Sequence, residues 1–392
     1  MKTILRTFVG CTAILFGTAC MGAVKYVPEN MKVELSLKVP GNNAVNYKLH
    51  PDKLENSYFD YEWRSDNKLP ITVFHKVEER DSCMRLTVQL TAAQDVYFNY
   101  RQLLSTGYRH DNCQFYMPGF WYRRNLRSPK KAPSFHTSDS WLVREDRLSA
   151  PLTGIFSEKE KRFMTVNRLD DFSMDALATH KEGEIILSGK TSLGFTGFEN
   201  QQGIAMLSFG FPYREAPKSY IRKLTLAPEV EAFQLMKKGE SVLLTWEIME
   251  SGADDFSDFI QHTWEHCYDT YAPKPVENSY SIADMKQVLS CFFVNSLVDN
   301  QPLVYNSGIH LKVSDCERNG QAEVGFIGRV LLNAFNAWEY GWQSNREELK
   351  VNSTKIFDSY LKNGFTQAGF FKESVNFDKG YEEPIHSIRR QS

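Results

Sequence analysis

The stretch QAEVGFIGRVLLNAFNAWEYGW, Gln321 to Trp342, decides how the second half of the chain is read. Set out at about 100° per residue, Val324, Ile327, Val330, Leu331, Ala334, Phe335, Trp338 and Trp342 fall on one broad apolar arc. Arg329, Asn333, Asn336, Tyr340 and Gln343 make a narrower polar stripe. The spacing predicts one long helix covered on more than one side, as in stacked helix pairs or a helical toroid.

Helical texture continues around it. SIADMKQVLSCFFVNSLVDN opens with a capping box, Ser281 to Asp284, and places Ile282, Met285, Leu289, Phe292 and Phe293 on one face. SNREELKVNSTKIFDSYLKNGF reads as a further helix, started by Ser344 with Glu347 and stopped by Lys362 and Gly364. Only a few residues separate it from the opening stretch, so the two form an antiparallel hairpin. DDFSDFIQHTWEHCYDTYAPKP reads as a connecting helix and linker ending in Pro273 and Pro275. Pro384 suits the first position of a new helix, with Glu382 and Glu383 ahead of it at the positive end. The chain stops within that element, which reads as a fragment or a frayed tail.

Met31 to Met249 has a different period. MKVELSLKV, YFDYEWRS, LPITVFHKV, EGEIILSG, GIAMLSFGF and ESVLLTWEIM alternate or carry β-branched and aromatic runs. LTGIF, SEKEKR and FMTVNRL read as a hairpin with a charged turn. Many strands without intervening helices predict a large antiparallel sandwich. The expected organisation is a signal peptide at 1–19, a β domain at 24–250, a connecting helix and linker at 251–280, and a helical domain at 281–392.

MKTILRTFVGCTAILFGTACMGA has two basic residues, an apolar run from Phe8 to Phe16, then Gly17, Thr18 and Ala19 before Cys20. That order predicts an export signal, and cleavage before Cys20 would make it the anchor of a bacterial lipoprotein, with plain secretion as the alternative. Cys11 would leave with the signal and Cys20 would be lipidated. An odd number of cysteines then remains, Cys83, Cys113, Cys267, Cys291 and Cys316, with no CxxC pair, so no disulfide and no zinc site of the usual spacing is assigned. The net charge of −2 gives no basis for counterion release on nucleic acid, which is set aside as a partner.

GQAEVGFIGRVLLNAFNAWEYG and KGYEEPIHSIRRQS, behind a β domain that contains MPGFWYRRN and SWLVREDRLSAP, resemble the large exported six-hairpin glycosidase-like proteins of Bacteroidetes. The resemblance implies an N-terminal antiparallel β-supersandwich followed by an (α/α)6 toroid, of which only the first helical hairpins are present here. It implies glycosidic bonds as the site of action, a poly- or oligosaccharide partner, and no cofactor.

Glycoside hydrolysis needs two carboxylates across the scissile bond. Glu323 falls within the predicted apolar arc, where it either caps the helix start or lines a cavity. Glu382, Glu383 and His386 cluster on a loop entering a helix, as an acidic cap or as functional groups. A polysaccharide lyase would instead use Tyr381 or His386 as the base, with Arg389 neutralising a uronate. GFWYRRNLRSPKK combines Phe120, Trp121 and Tyr122 with Arg123, Arg124, Arg127, Lys130 and Lys131. Aromatic faces there and at Trp141 suit sugar rings, and the basic cluster suits uronate or sulfate. A solvated basic loop flanked by core aromatics is the plainer alternative. Glu145 and Asp146, among Arg144 and Arg147, read as a surface salt-bridge network. HTWEH, His262 to His266, matches the H-x-x-E-H pattern but lacks a third ligand, so no metal is assigned.

Overall fold

The computed structural model describes residues 27–80, 83–170, 174–179, 181–222 and 225–295, and then 297–298, 304–305, 309–311, 316–318, 321–323, 329–370, 372, 374–376 and 380–384. The export signal and Cys20 lie outside the described residues. The chain divides into two compact units, Met1–Pro273 and Lys274–Ser392.

In the first unit the period-2 apolar patterns become strands of two antiparallel sheets. The first sheet runs in the order Val45–Lys53, Met31–Lys38, Val96–Arg109, Ile204–Phe211, Phe195–Gln201 and Trp141–Arg144. The second runs from Val45–Lys53 through Tyr61–Arg64, Ile71–Glu79, Cys83–Ala92, Ser241–Gly252, Arg162–Arg168, Leu152–Ser157 and Cys113–Met117 to Trp121–Arg123. Val45–Lys53 belongs to both, because its first half pairs with Met31–Lys38 and its second with Tyr61–Arg64. Among the described residues, 17 strands form one connected hydrogen-bonded system, antiparallel apart from Gly183–Ile186 beside Val230–Met236, so a large antiparallel β-sandwich followed by helical elements is the fold.

Aromatic side chains on the facing surfaces hold the layers together. Phe115 stacks on Phe198 with ring centroids 4.0 Å apart, and Trp246 meets Phe209 at 5.2 Å. All four are buried, and each buried aromatic contributes on the order of 150–250 Å² of surface removed from water. The LTGIF–FMTVNRL hairpin forms as predicted, Leu152 opposite Asn167 through Ser157 opposite Arg162.

Helix α1 (Phe256–Tyr271) is part of this first unit. Asp255 caps it by accepting from the Ser257 and Asp258 N–H groups at 2.7 and 3.0 Å. Its buried face, Phe256, Phe259, Thr263 and Cys267, lies on the outer surface of the second sheet, where Trp264 Nε1 donates to the Tyr116 hydroxyl at 2.6 Å. A Cβ on Gly154 would sit 2.6 Å from the Phe259 ring, so a residue without one is what lets the helix settle.

The second unit carries α2 (Ile282–Asn295), α3 (Arg329–Gln343) and α4 (Glu347–Asn363). The Ser281–Asp284 capping box is present: the Asp284 N–H donates to Ser281 Oγ at 3.1 Å, and the Ser281 N–H to Asp284 at 2.9 Å. The opening stretch, in contrast, is not one helix. Gln321–Glu323 is a strand paired with Ser374–Asn376, the described helix spans Arg329–Gln343, and Val324 and Ile327 of the predicted arc lie outside the described residues. Periodicity in a sequence cannot register a strand partner some fifty residues away. Ser344 is not the cap of α4; its hydroxyl donates back to the Tyr340 carbonyl, and Arg346 takes the cap position without a side-chain bond.

The apolar arc of α3 is also used differently from the expectation. Val330, Ala334 and Ala337 are buried with Leu349, Ile356 and Tyr360 of α4, and Gly341 lets the backbones approach at Leu349 and Lys350. The small residues make the helix contact, while Phe335 and Trp342 stay 47% and 61% exposed. Lys350 Nζ lies over the Trp342 ring, 4.4 Å from its centroid.

Candidate functional site

The loop after Trp121–Arg123 borders a cleft of about 690 Å³ lined by Gln114, Tyr122, Arg123, Arg124, Asn125, Leu126, Arg127 and Ser128. Core side chains anchor the segments around the loop. Trp121 is fully buried, and its Nε1 donates to the Arg123 carbonyl at 3.0 Å. Trp141 is likewise fully buried, 5.9 Å from Trp121 between ring centroids, with its Nε1 donating to the Ser138 carbonyl at 3.1 Å. Both were expected to stack on sugars. Neither presents a face to a ligand, because each fills the sandwich core and anchors a loop by its one polar atom.

Tyr122 and the arginines do line the cleft. Tyr122 is 51% exposed, and its hydroxyl accepts from the Gly119 N–H at 3.3 Å. Arg124 is held by its Nε donating to the Cys113 carbonyl at 3.2 Å and by the Phe135 ring 5.1 Å away. Arg123 Nη1 donates to Gln114 Oε1 at 3.1 Å, and its guanidinium lies 4.8 Å from the Phe256 ring centroid. Among the described residues none of Arg123, Arg124 and Arg127 has a carboxylate partner. Three guanidinium groups outside any salt bridge around one cleft, with Asp255 within electrostatic reach of Arg123, favour a bound anion, carboxylate or sulfate, in bidentate contact.

Asn125, which the sequence did not single out, is what shapes the loop. Its Oδ1 accepts from the Tyr122 N–H at 3.1 Å, and its Nδ2 donates to the Phe120 and Pro133 carbonyls at 3.2 and 3.1 Å. Arg123 and Asn125 both have positive φ, 58° and 49°. Asn tolerates that region; for Arg it costs on the order of 1 kcal/mol, which the surrounding bonds must hold. The RRN order within an aromatic-basic loop was the available signal.

The predicted acidic constellation is only partly within reach. Gln321–Glu323 and Gly380–Pro384 are the outer strands on either side of Ser374–Asn376 in one three-stranded sheet. The fold therefore brings the Glu323 backbone into the same sheet as Tyr381, Glu382 and Glu383. The last three lie on a strand, not on a loop entering a helix at Pro384, because that segment completes a ladder. His386 and Arg389 lie outside the described residues.

Glu145 is a further correction. It is fully buried, accepts from Arg168 Nη1 at 2.8 Å and from the Gly194 N–H at 2.7 Å, and is no surface ion pair. Burial raises its carboxyl above the usual range against the pull of Arg168. Asp146 does pair on the surface with Arg144, at 2.6 Å, and Arg147 turns instead to Glu215. The two histidines of HTWEH part company: His262 faces Asp258 at 3.5 Å, and His266 faces Glu247.

No protein-family model and no curated protein matches the chain. Among solved structures it is similar to a polysaccharide lyase at 11% identity, over 86% of this chain and 54% of that one, with a TM-score of 0.30. It is also similar to a galactose mutarotase related enzyme from Lactobacillus acidophilus at 11% identity, covering 56% of this chain and 79% of that one, TM-score 0.29. An α-galactosidase from Geobacillus stearothermophilus follows at 11% identity, covering 56% of this chain and 30% of that one, TM-score 0.23. The chain spans about half the length of the polysaccharide lyase it matches.

Proposed function

We propose that this is an exported, carbohydrate-active protein that takes an acidic glycan in the Tyr122–Ser128 cleft. The observation that carries the reading is the cleft itself, where an exposed tyrosine ring stands among three guanidinium groups that form no salt bridge among the described residues. A sugar ring stacks on the aromatic face, and a uronate or sulfate meets the fork of Arg123 or Arg127. Export and lipidation at Cys20 belong to the same reading; palmitate incorporation lost in Cys20→Ala tests them. The cleft is tested on an array of neutral, uronate-containing and sulfated oligosaccharides, on which the acidic members are retained and neutral ones are not. Equal retention removes the proposal.

A second reading, bond cleavage, draws on the shared sheet of Glu323 with Glu382 and Glu383. Two strands flanking a third lie about 10 Å apart, so the reading requires side chains that lean toward one another to reach the shorter separation at which two carboxylates act across a water. Release of reducing ends, abolished in Glu323→Gln or Glu382→Gln, supports a hydrolase. A product absorbing as an unsaturated uronate, dependent on Tyr381, supports a lyase. Binding without either product leaves the protein a glycan-binding lipoprotein.

A further inference from the structure

His266 sits on the face of α1 that covers the second sheet, and its Nε2 lies 2.7 Å from Glu247 Oε1. Glu247 is only 4% exposed, an expensive place for a carboxylate. In the neighbouring strand Arg85 stands opposite Glu247, and Cys83 stands opposite Met249. Alternation along both strands puts Cys83, Arg85, Glu247 and Met249 on one face. The Cys83 sulfur, a Glu247 carboxylate oxygen and a His266 ring nitrogen all lie within 4.8 Å of one another.

We propose that Cys83, Glu247 and His266 form a site for one divalent cation of the zinc class, which staples α1 to the sheet. Zinc bonds sulfur at about 2.3 Å and nitrogen or oxygen at about 2.0–2.2 Å, so tetrahedral ligand atoms stand roughly 3.3–3.7 Å apart. The three atoms reach that spacing when the His266–Glu247 pair opens and the Cys83 sulfur, within 4.8 Å of both, draws in. Thiolate with imidazole and one carboxylate is a zinc donor set; calcium and magnesium take oxygen and leave a thiol aside. One thiolate and one carboxylate neutralise the dication, which would take over the place at Glu247 that His266 and Arg85 fill here.

Neighbouring groups hold the ligands in place. Thr270 Oγ1 donates to Glu247 Oε1 at 3.2 Å, and an Arg85 guanidinium nitrogen lies 3.8 Å from Oε2. Binding releases the Cys83 thiol proton to solvent and leaves His266 neutral, its proton on Nδ1 and Nε2 on the metal. The His266 side chain is 23% exposed, so the fourth position opens to water. His262, four residues earlier, is not a ligand, which separates this site from the H-x-x-E-H pattern.

The test is a cobalt(II) titration of the chelator-treated full chain, followed by the thiolate-to-cobalt charge-transfer absorption and by displacement with zinc. The proposal predicts saturation at one equivalent. Cys83→Ser abolishes the absorption, His266→Ala weakens binding at least tenfold, and His262→Ala and Cys267→Ser change neither. Zinc raises the wild-type Tm and not that of His266→Ala, a readout that stands even where Cys83→Ser fails to fold. No absorption in the wild type, absorption that survives Cys83→Ser, or loss of it in cooperatively melting His262→Ala overturns the site. Glycan binding at the Tyr122 loop is independent of this result.

Discussion

The side-chain oxygen of Asn125 accepts the Tyr122 backbone N–H at 3.1 Å, so one asparagine sets the pose of the exposed ring three residues before it. The same side chain ties Phe120 and Pro133 together through its nitrogen. Asn125→Ala should therefore cost about 1–3 kcal/mol of stability, at roughly 1 kcal/mol for each lost bond. It should also lower affinity for acidic oligosaccharides about tenfold by loosening the loop. Asn125→Asp, which keeps the acceptor and loses the donor, should fall between the two. Urea melts alongside binding titrations check both, and unchanged affinity in Asn125→Ala would show that the loop is held by other means.

Burial pushes His75 down to about 3, while Nε2 stays 2.7 Å from the Tyr100 hydroxyl. An unfolded histidine titrates near 6.5, so below that pH the unfolded chain takes up a proton that the native one refuses. This contribution to stability is therefore intact above about pH 7 and is lost as pH falls from 6.5 toward 3. Between pH 7.5 and 5.5 the wild type should lose about 1.4 kcal/mol more than His75→Gln. Denaturant melts at the two pH values measure it; parallel losses would mean that His75 is protonated in the folded state.

Arg168 and Glu145, 3% and 0% exposed, form the most deeply buried ion pair among the described residues. Arg168→Met leaves a carboxylate in the core and should cost about 3–5 kcal/mol. Glu145→Gln should cost less, since Arg168 keeps Asp170 at 3.0 Å and the Gly194 N–H keeps an acceptor. A double-mutant cycle should show strong coupling; additive losses would contradict the pairing.

Gly154→Ala drives a methyl into the Phe259 ring, and overpacking of this kind costs about 1–3 kcal/mol. Phe259→Leu in the same chain should recover part of that loss, because the shorter side chain vacates the space. Equal losses in the single and double variants would place the strain elsewhere.

The sandwich was legible because each strand carries its own period, and LTGIF with FMTVNRL names its partner through a tight turn. The Ser281–Asp284 cap was legible for the same local reason. Pairings between distant positions were not. Glu145 with Arg168, Gln321–Glu323 with Ser374–Asn376, and Cys83 with His266 join residues whose neighbours carry no trace of the partner. Trp121 and Trp141 differ from the sugar-stacking reading because an aromatic a few residues from an arginine looks the same in sequence whether it faces solvent or the core. Tyr122 and Arg123 were legible as part of an aromatic-basic loop, but the cleft beside it was not.

The central claim is that the Tyr122–Ser128 cleft reads acidic glycans, and calorimetric titration tests it most directly. Wild type and Arg123→Gln/Arg127→Gln are titrated with the acidic oligosaccharide retained best on the array and with its neutral counterpart. The expected result is at least tenfold tighter binding of the acidic sugar, about 1.4 kcal/mol, weakened by salt and lost in the double variant while its melt stays cooperative. Equal affinities for the two sugars, or an acid preference that survives loss of both arginines, would contradict it.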